Sequence, residues 1–245
     1  MPDSLIPDEV GESHCPVYSF TQCNDRLFLK MSPSIYAPTT FSVLREARVL
    51  DWVGRYLNVS DLVLVAESHE AEFMITRAVP GEPVYQRIDA QQPVVHLFQE
   101  ALRQLRAVPV NSCPFDARVG FRLQELPHLI RNDLHAEQYD LDQWPGLHTP
   151  QDLLTHIQTT MPTEELTVAY GDLGDSNVFV TAKDELYFIG LGLAGLAERR
   201  MDVAFIHRNL REEVSEVVAA DFLNALSEAD QPDKRAFFEQ LDELF

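Results

Sequence analysis

The segment Val168-Ala-Tyr-Gly-Asp-Leu-Gly-Asp-Ser-Asn177, with the two apolar runs behind it, constrains the fold of this chain more than any other part. A short apolar run ends in Gly171-Asp172, and Asn177 follows five residues later. Val178-Phe-Val180 and Leu186-Tyr-Phe-Ile-Gly190 come next and read as short strands. Gly-Asp alone is turn chemistry. Here the spacing and the flanking strands carry the weight, because they hold an acid and an amide at one loop.

The first third reads as strands with one helix. Val17-Tyr-Ser-Phe20 and Leu27-Phe-Leu-Lys30 flank a polar turn and predict a hairpin. Phe41 to Leu57 has apolar residues at Val43, Leu44, Ala47, Leu50, Val53 and Leu57, a helical period. Leu62-Val-Leu-Val-Ala66 and Phe73-Met-Ile-Thr76 predict two more strands. Ala78-Val-Pro-Gly-Glu-Pro83 breaks the pattern and predicts a hinge. Beyond it, Val94 to Val108 and Phe121 to Leu134 predict helices. Thr149-Pro-Gln-Asp152 has the form of a helix start. The chain is expected to run helical from behind the strand pair to Phe245.

Charge narrows the partners. Nineteen Lys and Arg face 39 Asp and Glu, a net −20. Such a chain repels nucleic acid and anionic membranes and attracts polycations. Cys15, Cys23 and Cys113 form no spaced framework, which points to reduced thiols in the cytoplasm. The acidic start, Met1 to Val10, does not read as a signal peptide. No apolar run approaches the roughly 18 residues of a membrane span. Monomer and dimer both remain open.

The loop resembles the plan used by kinase-like phosphotransferases. An acid there can orient the proton of an acceptor hydroxyl, and an amide five residues on can face a magnesium ion. Lys30 ends an apolar strand, and Glu46 lies 16 residues later on the next helix. Such a reaction needs a cation on the nucleotide's phosphates and a carboxylate to hold that cation. Either residue alone would be an ordinary surface charge; their order ahead of the Asp172 loop gives them meaning. Gly11 to Tyr18 could turn backbone N–H groups toward phosphates, but matches no glycine-rich motif.

Gly171-Asp-Leu-Gly-Asp-Ser-Asn-Val-Phe-Val180, Asn111-Ser-Cys-Pro-Phe115, Met161-Pro-Thr-Glu-Glu-Leu166, Asp202-Val-Ala-Phe205 and Leu241-Asp-Glu-Leu-Phe245 appear together in the chain. In this combination the chain resembles the aminoglycoside 3′-phosphotransferases, from about Gly11 to Phe245. The resemblance implies an α+β, two-lobed, protein-kinase-like fold. A small antiparallel-sheet lobe, residues 1–79, would bind nucleotide. A larger, mainly helical lobe, residues 80–245, would carry the catalytic loop and an acidic substrate region. ATP or GTP with Mg2+ would serve as cofactors, and a sugar hydroxyl of a cationic aminoglycoside antibiotic as acceptor.

Residue by residue, the resemblance matches Lys30 and Glu46 to the phosphate-binding pair. Ser13 matches the loop residue over the phosphates, and Thr76-Arg-Ala78 the hinge whose backbone holds the base. Asp172 matches the catalytic acid and Asn177 the first metal ligand. Asp142, Glu212, Glu213, Asp242, Glu243 and the Phe245 terminus match the groups that hold the antibiotic, with Arg208 beside them.

Three positions depart from the pattern. Tyr170 stands where the family has His, and Leu193 where it commonly has Arg. Gly190, 18 residues after Asp172, stands where it has the second metal-binding Asp. The loop around Trp144 is also shorter. The magnesium site is therefore expected to be weakened. Losing about 4 kcal/mol of charge stabilisation lowers a rate by about 10³. Asp175, Glu198 and Asp202 are the nearby carboxylates that could replace the missing one. Two other readings stay open: a catalytically defective binder of nucleotide or aminoglycoside, and a kinase of another small hydroxylated molecule.

Overall fold

The computed structural model describes residues 5–8, 15–134, 141 and 143–245. The chain divides into two compact units, one built from Met1–Val108 with Asp172–Ala194, the other from Pro109–Gly171 with Gly195–Phe245. Both mix helices and strands, the α+β class expected.

The first unit is organised by a five-stranded antiparallel sheet, ordered β1-β2-β3-β5-β4. Its strands are β1 (Ile6–Pro7), β2 (Val17–Gln22), β3 (Asp25–Pro33), β4 (Leu62–Glu67) and β5 (Ala71–Arg77). The expected hairpin is β2–β3. It closes through Cys23 and Asn24, with φ of 52° and 71°, between the opposed residues Gln22 and Asp25. Two left-handed residues in succession match the twist of the strands they join. Helix α1 (Val43–Val53) buries Val43, Ala47, Leu50 and Val53 on one face, as its period predicts. Fully burying such a side chain stabilises the fold by about 1.5–3 kcal/mol.

The expected hinge leads into β6 (Glu82–Pro83), which pairs with β8 (Val178–Val180), which in turn pairs with β9 (Leu186–Phe188). Gly81 makes this pairing feasible. Its φ is 91°, and a Cβ there would lie 2.4 Å from the Val180 carbonyl oxygen. Only glycine permits both. Helices α2 (Val84–Asp89) and α3 (Val95–Ala107) follow β6.

The second unit holds α4 (Val119–Arg131), α5 (Pro150–Thr160), β7 (Leu166–Ala169), β10 (Gly195–Glu198), α6 (Met201–Glu213), α7 (Glu216–Ala225) and α8 (Pro232–Asp242). Helix α5 starts as its sequence predicts: Thr149 Oγ1 accepts from the Asp152 N–H at 3.1 Å, and Pro150 opens the first turn. Strand β10 departs from the expectation of helix throughout this region. It is four residues long and pairs with β7, which lies far upstream, so no local period announces it. The strands on either side of Asp172 also do not pair with each other. β7 belongs to the two-stranded sheet and β8 to the three-stranded one. Among the described residues no helix is long and apolar enough to cross a membrane.

Candidate active site

In the first unit, β3 and α1 bring Lys30 to Glu46. The Lys30 ammonium donates to Glu46 Oε2 at 2.8 Å, and Glu46 is nearly buried. Burial alone would pull the Lys30 pKa down. The Glu46 charge and hydrogen bond, with Cys15 and Asp172 contributing, outweigh it and raise the pKa. Lys30 thus stays charged at neutral pH. Asp172 is close enough for its charge to act on Lys30. The pair from the sheet and the acid of the loop therefore share one neighbourhood within this unit.

Asn177 fixes the loop from inside. Its Nδ2 donates to both the backbone oxygen and Oδ2 of Asp172, each at 3.0 Å. The Asn177 carbonyl accepts from the Ile189 N–H at 3.1 Å, which ties the loop to the end of β9. With Nδ2 turned to Asp172, Oδ1 is the atom of this side chain suited to a cation.

Gly190 follows Ile189 in the left-handed region, at φ 67° and ψ 35°, and opens a single 3₁₀ turn, Leu191–Leu193. It brings no side-chain oxygen. Glu198 is fully buried and lies 3.1 Å from the Lys234 ammonium. Asp202 is taken up by backbone, as described below. Both carboxylates thus have partners within the second unit. Among the described residues no group of three or more His, Cys, Asp or Glu is arranged to hold a metal. The residues fit a nucleotide's phosphates. For a magnesium ion the Asn177 amide oxygen is present and Gly190 adds none, short of the carboxylates that usually hold it.

Arg45, next to Glu46 on α1, was not foreseen from sequence. Its guanidinium donates to the Gly192 carbonyl, and to that of Ala194 at 3.1 Å. One helix thus holds the lysine through Glu46 and the turn after Gly190 through Arg45. At the expected hinge, Thr76 is paired in the sheet opposite Phe28. The Ala78 N–H is engaged by the Arg26 carbonyl at 2.9 Å, so a bound base would use other backbone groups of that segment. Ser13 and Asp142 lie outside the described residues.

In the second unit, the backbone leading into Asp172 is held by Asp202. Its carboxylate accepts from the N–H groups of Tyr170 at 2.8 Å and Gly171 at 2.9 Å. Tyr170 itself is fully buried. Sequence carried a signal for Asp202, namely an acid inside the apolar run Met201 to Ile206. Such an acid needs dedicated donors.

The acidic groups on α6 and α8 are mostly paired. Arg208 lies 2.8 Å from Asp242 and stacks on the Phe205 ring. Burial lowers the Arg208 pKa and the Asp242 charge raises it, with a net rise. Arg211 reaches Glu212 at 3.0 Å and Glu239 at 3.2 Å. Glu213 is exposed, and Glu243 lies 3.5 Å from the Gln143 amide. The terminal Phe245 is buried, with the Arg122 guanidinium 4.1 Å from its ring centroid. Arg122 is a second residue that sequence reading passed over.

Residues 8–238 match the profile of the phosphotransferase enzyme family. An aminoglycoside 3′-phosphotransferase of Acinetobacter baumannii is 37% identical over 98% of this chain and 94% of its own. One from Enterococcus faecalis is 32% identical over 98% and 93%. Among solved structures, an aminoglycoside 3′-phosphotransferase of type VIII superposes with a TM-score of 0.81 at 26% identity, covering 99% of this chain and 94% of that one. The fold is thus the kinase-like one expected. The chain belongs to the phosphotransferase enzyme family and, within it, to the aminoglycoside 3′-phosphotransferases.

Proposed function

We propose that this chain transfers the γ-phosphoryl group of ATP or GTP to a sugar hydroxyl of an aminoglycoside. The observation that carries the reading is the grouping of Lys30, Glu46, Asp172 and Asn177 within one unit. Lys30, held by Glu46, would neutralise the phosphates. Asp172, held by Asn177, would accept the hydroxyl's hydrogen bond and aim its oxygen in line with the phosphorus. The hydroxyl proton would pass to Asp172 as the new O–P bond forms and the bridging bond to the departing diphosphate breaks. Magnesium, when bound with the nucleotide, would supply charge neutralisation at the phosphates, with Asn177 as its one protein ligand.

The acidic groups Glu212, Glu213, Asp242 and Glu243, with Asp142 and the Phe245 terminus, would take the amines, and Arg208 would stand among them. The net charge of −20 concentrates a polycation near the protein. Ser13 would cover the phosphates and the Thr76–Ala78 backbone the base. Residues 1–79 would serve the nucleotide, and 80–245 would carry the catalytic loop and the acidic acceptor region. ATP supply and reduced thiols suit the cytoplasm.

Gly190 favours a second reading, a binder of nucleotide or aminoglycoside with little turnover. An ADP-release assay separates the two, run with kanamycin, with unrelated sugar alcohols, and with an Asp172→Ala control. Kanamycin-dependent release lost in the control is expected. Release with another acceptor only would point to a different small-molecule kinase. Binding without release would leave the binder.

A further inference from the structure

Glu72 lies on β5 and is nearly buried. Its Oε2 accepts from Ser32 Oγ at 3.0 Å, Ser42 Oγ at 2.7 Å and the Leu44 N–H at 3.2 Å. Ser32 Oγ accepts in turn from the Val43 N–H, and Ser42 Oγ from the Arg45 N–H, both at 3.1 Å. The opening N–H groups of α1, at Val43, Leu44 and Arg45, thus find partners in Ser32, Glu72 and Ser42. A helix start leaves such donors orphaned, and a carboxylate there is also favoured by the helix dipole.

The position of this knot matters. Ser32 lies two residues beyond Lys30 on β3, and Leu44 two residues before Glu46 on α1. Two residues of helix rise only about 3 Å. The carboxylate of β5 therefore ties β3 to α1 within a turn of the place where Lys30 meets Glu46. A buried acid in a strand is unfavourable unless its lone pairs are filled. Here the donors to Oε2 come from the two elements that carry the lysine and its partner.

We propose that Glu72 is a positioning residue for the phosphate-binding pair: it locks the start of α1 to β3 so that Glu46 reaches Lys30. Glu72 need not touch a nucleotide. The inference rests on the proposed nucleotide role of Lys30, yet the Lys30–Glu46 contact can be read without any nucleotide.

The test is the pH profile of Lys30 acetylation by acetic anhydride, read by peptide mass spectrometry. It compares wild type, Glu46→Gln, Glu72→Ala, Glu72→Gln and the Glu46→Gln/Glu72→Ala double variant. Cys15 and Asp172 remain beside Lys30 in all of them. Without Glu46 in reach, burial dominates and the amine loses its proton more easily. Glu72→Ala is therefore expected to move the profile to lower pH, as Glu46→Gln does, and the double variant to move it no further. Glu72→Gln, which keeps an oxygen acceptor, is expected to restore the wild-type profile. A folded Glu72→Ala protein with an unmoved profile, or additive shifts in the double variant, overturns the proposal. If Glu72→Ala does not fold, the Ser32→Ala/Ser42→Ala double variant removes both hydroxyl donors, and a folded double variant with an unmoved profile overturns it equally. ATP calorimetry runs alongside. Glu72→Ala should weaken binding about tenfold in wild type but not in the Glu46→Gln background. A wild type that binds no ATP would overturn the nucleotide reading, while the Lys30 profile still decides the role of Glu72.

Discussion

The Arg208 guanidinium lies 2.8 Å from the Asp242 carboxylate, so an acid expected to receive a substrate amine already faces a cation. An incoming ammonium must share or displace Arg208. Arg208→Gln is therefore expected to tighten kanamycin binding several-fold at low salt. The gain should fade by about 0.5 M salt, where screening reaches only a few ångströms. Calorimetry at two ionic strengths checks this. Weaker binding in the variant would show instead that Arg208 holds Asp242 in its working position.

Gly190→Asp tests whether the missing carboxylate is the main defect. The left-handed backbone at 190, φ 67° and ψ 35°, is one that Asp tolerates better than most residues. The substitution is expected to lower stability by about 1 kcal/mol and to raise kanamycin phosphorylation by about 10³. Thermal melts and the ADP-release assay measure both. A well-folded variant that binds ATP and magnesium without added turnover would sink the idea of a single lost ligand.

Asp202 satisfies two backbone N–H groups in a buried setting. Asp202→Ala strands both and is expected to destabilise the protein by about 3 kcal/mol or more. Asp202→Asn keeps one oxygen and should lose less. Urea unfolding gives the numbers; a loss below about 1 kcal/mol for the alanine variant contradicts the role.

Two of the thiols, Cys15 and Cys23, should separate by reactivity. Burial pushes the Cys15 pKa up to about 11, with Lys30 opposing and Glu46 and Glu72 assisting. At pH 8 about one Cys15 in a thousand is then thiolate. Cys23 sits exposed at the β2–β3 turn. Iodoacetamide at pH 8 is expected to label Cys23 first and to leave Cys15 intact in the folded protein. Raising the pH toward 11 should expose Cys15 to labelling, and equal rates for both at pH 8 would refute the assignment.

Much of the first unit was legible in the chain, because its signals are local. The α1 period, the polar turn of β2–β3 and the strand-ending Lys30 each occupy a short window. Asp172 and Asn177 were legible for the same reason. What sequence hid is long-range. β10 finds its partner across more than twenty residues, and Arg45, Glu72 and Arg122 look like ordinary surface charges until the fold supplies their partners: carbonyls for Arg45, donors for Glu72 and the Phe245 ring for Arg122. The acids of α6 and α8 were visible as acids. Their pairing with Arg208 and Arg211 was not, since a charge pattern does not show which opposite charge lies nearer.

The first unit is interrupted in the chain, and its closing pieces arrive late. β8 and β9 supply the partner for β6 and for the Asn58 backbone, and the Gly192 and Ala194 carbonyls supply the acceptors of Arg45. A ribosome that has delivered only Val108 has made a complete five-stranded sheet, but also a strand, β6, and a helix, α1, whose remaining partners do not yet exist. Synthesis must pass through the intervening stretch of the second unit before Ala194 emerges. The nascent protein therefore carries an unfinished unit for the whole of that interval, and the meeting of Lys30 with Asp172 is a late event in its biosynthesis.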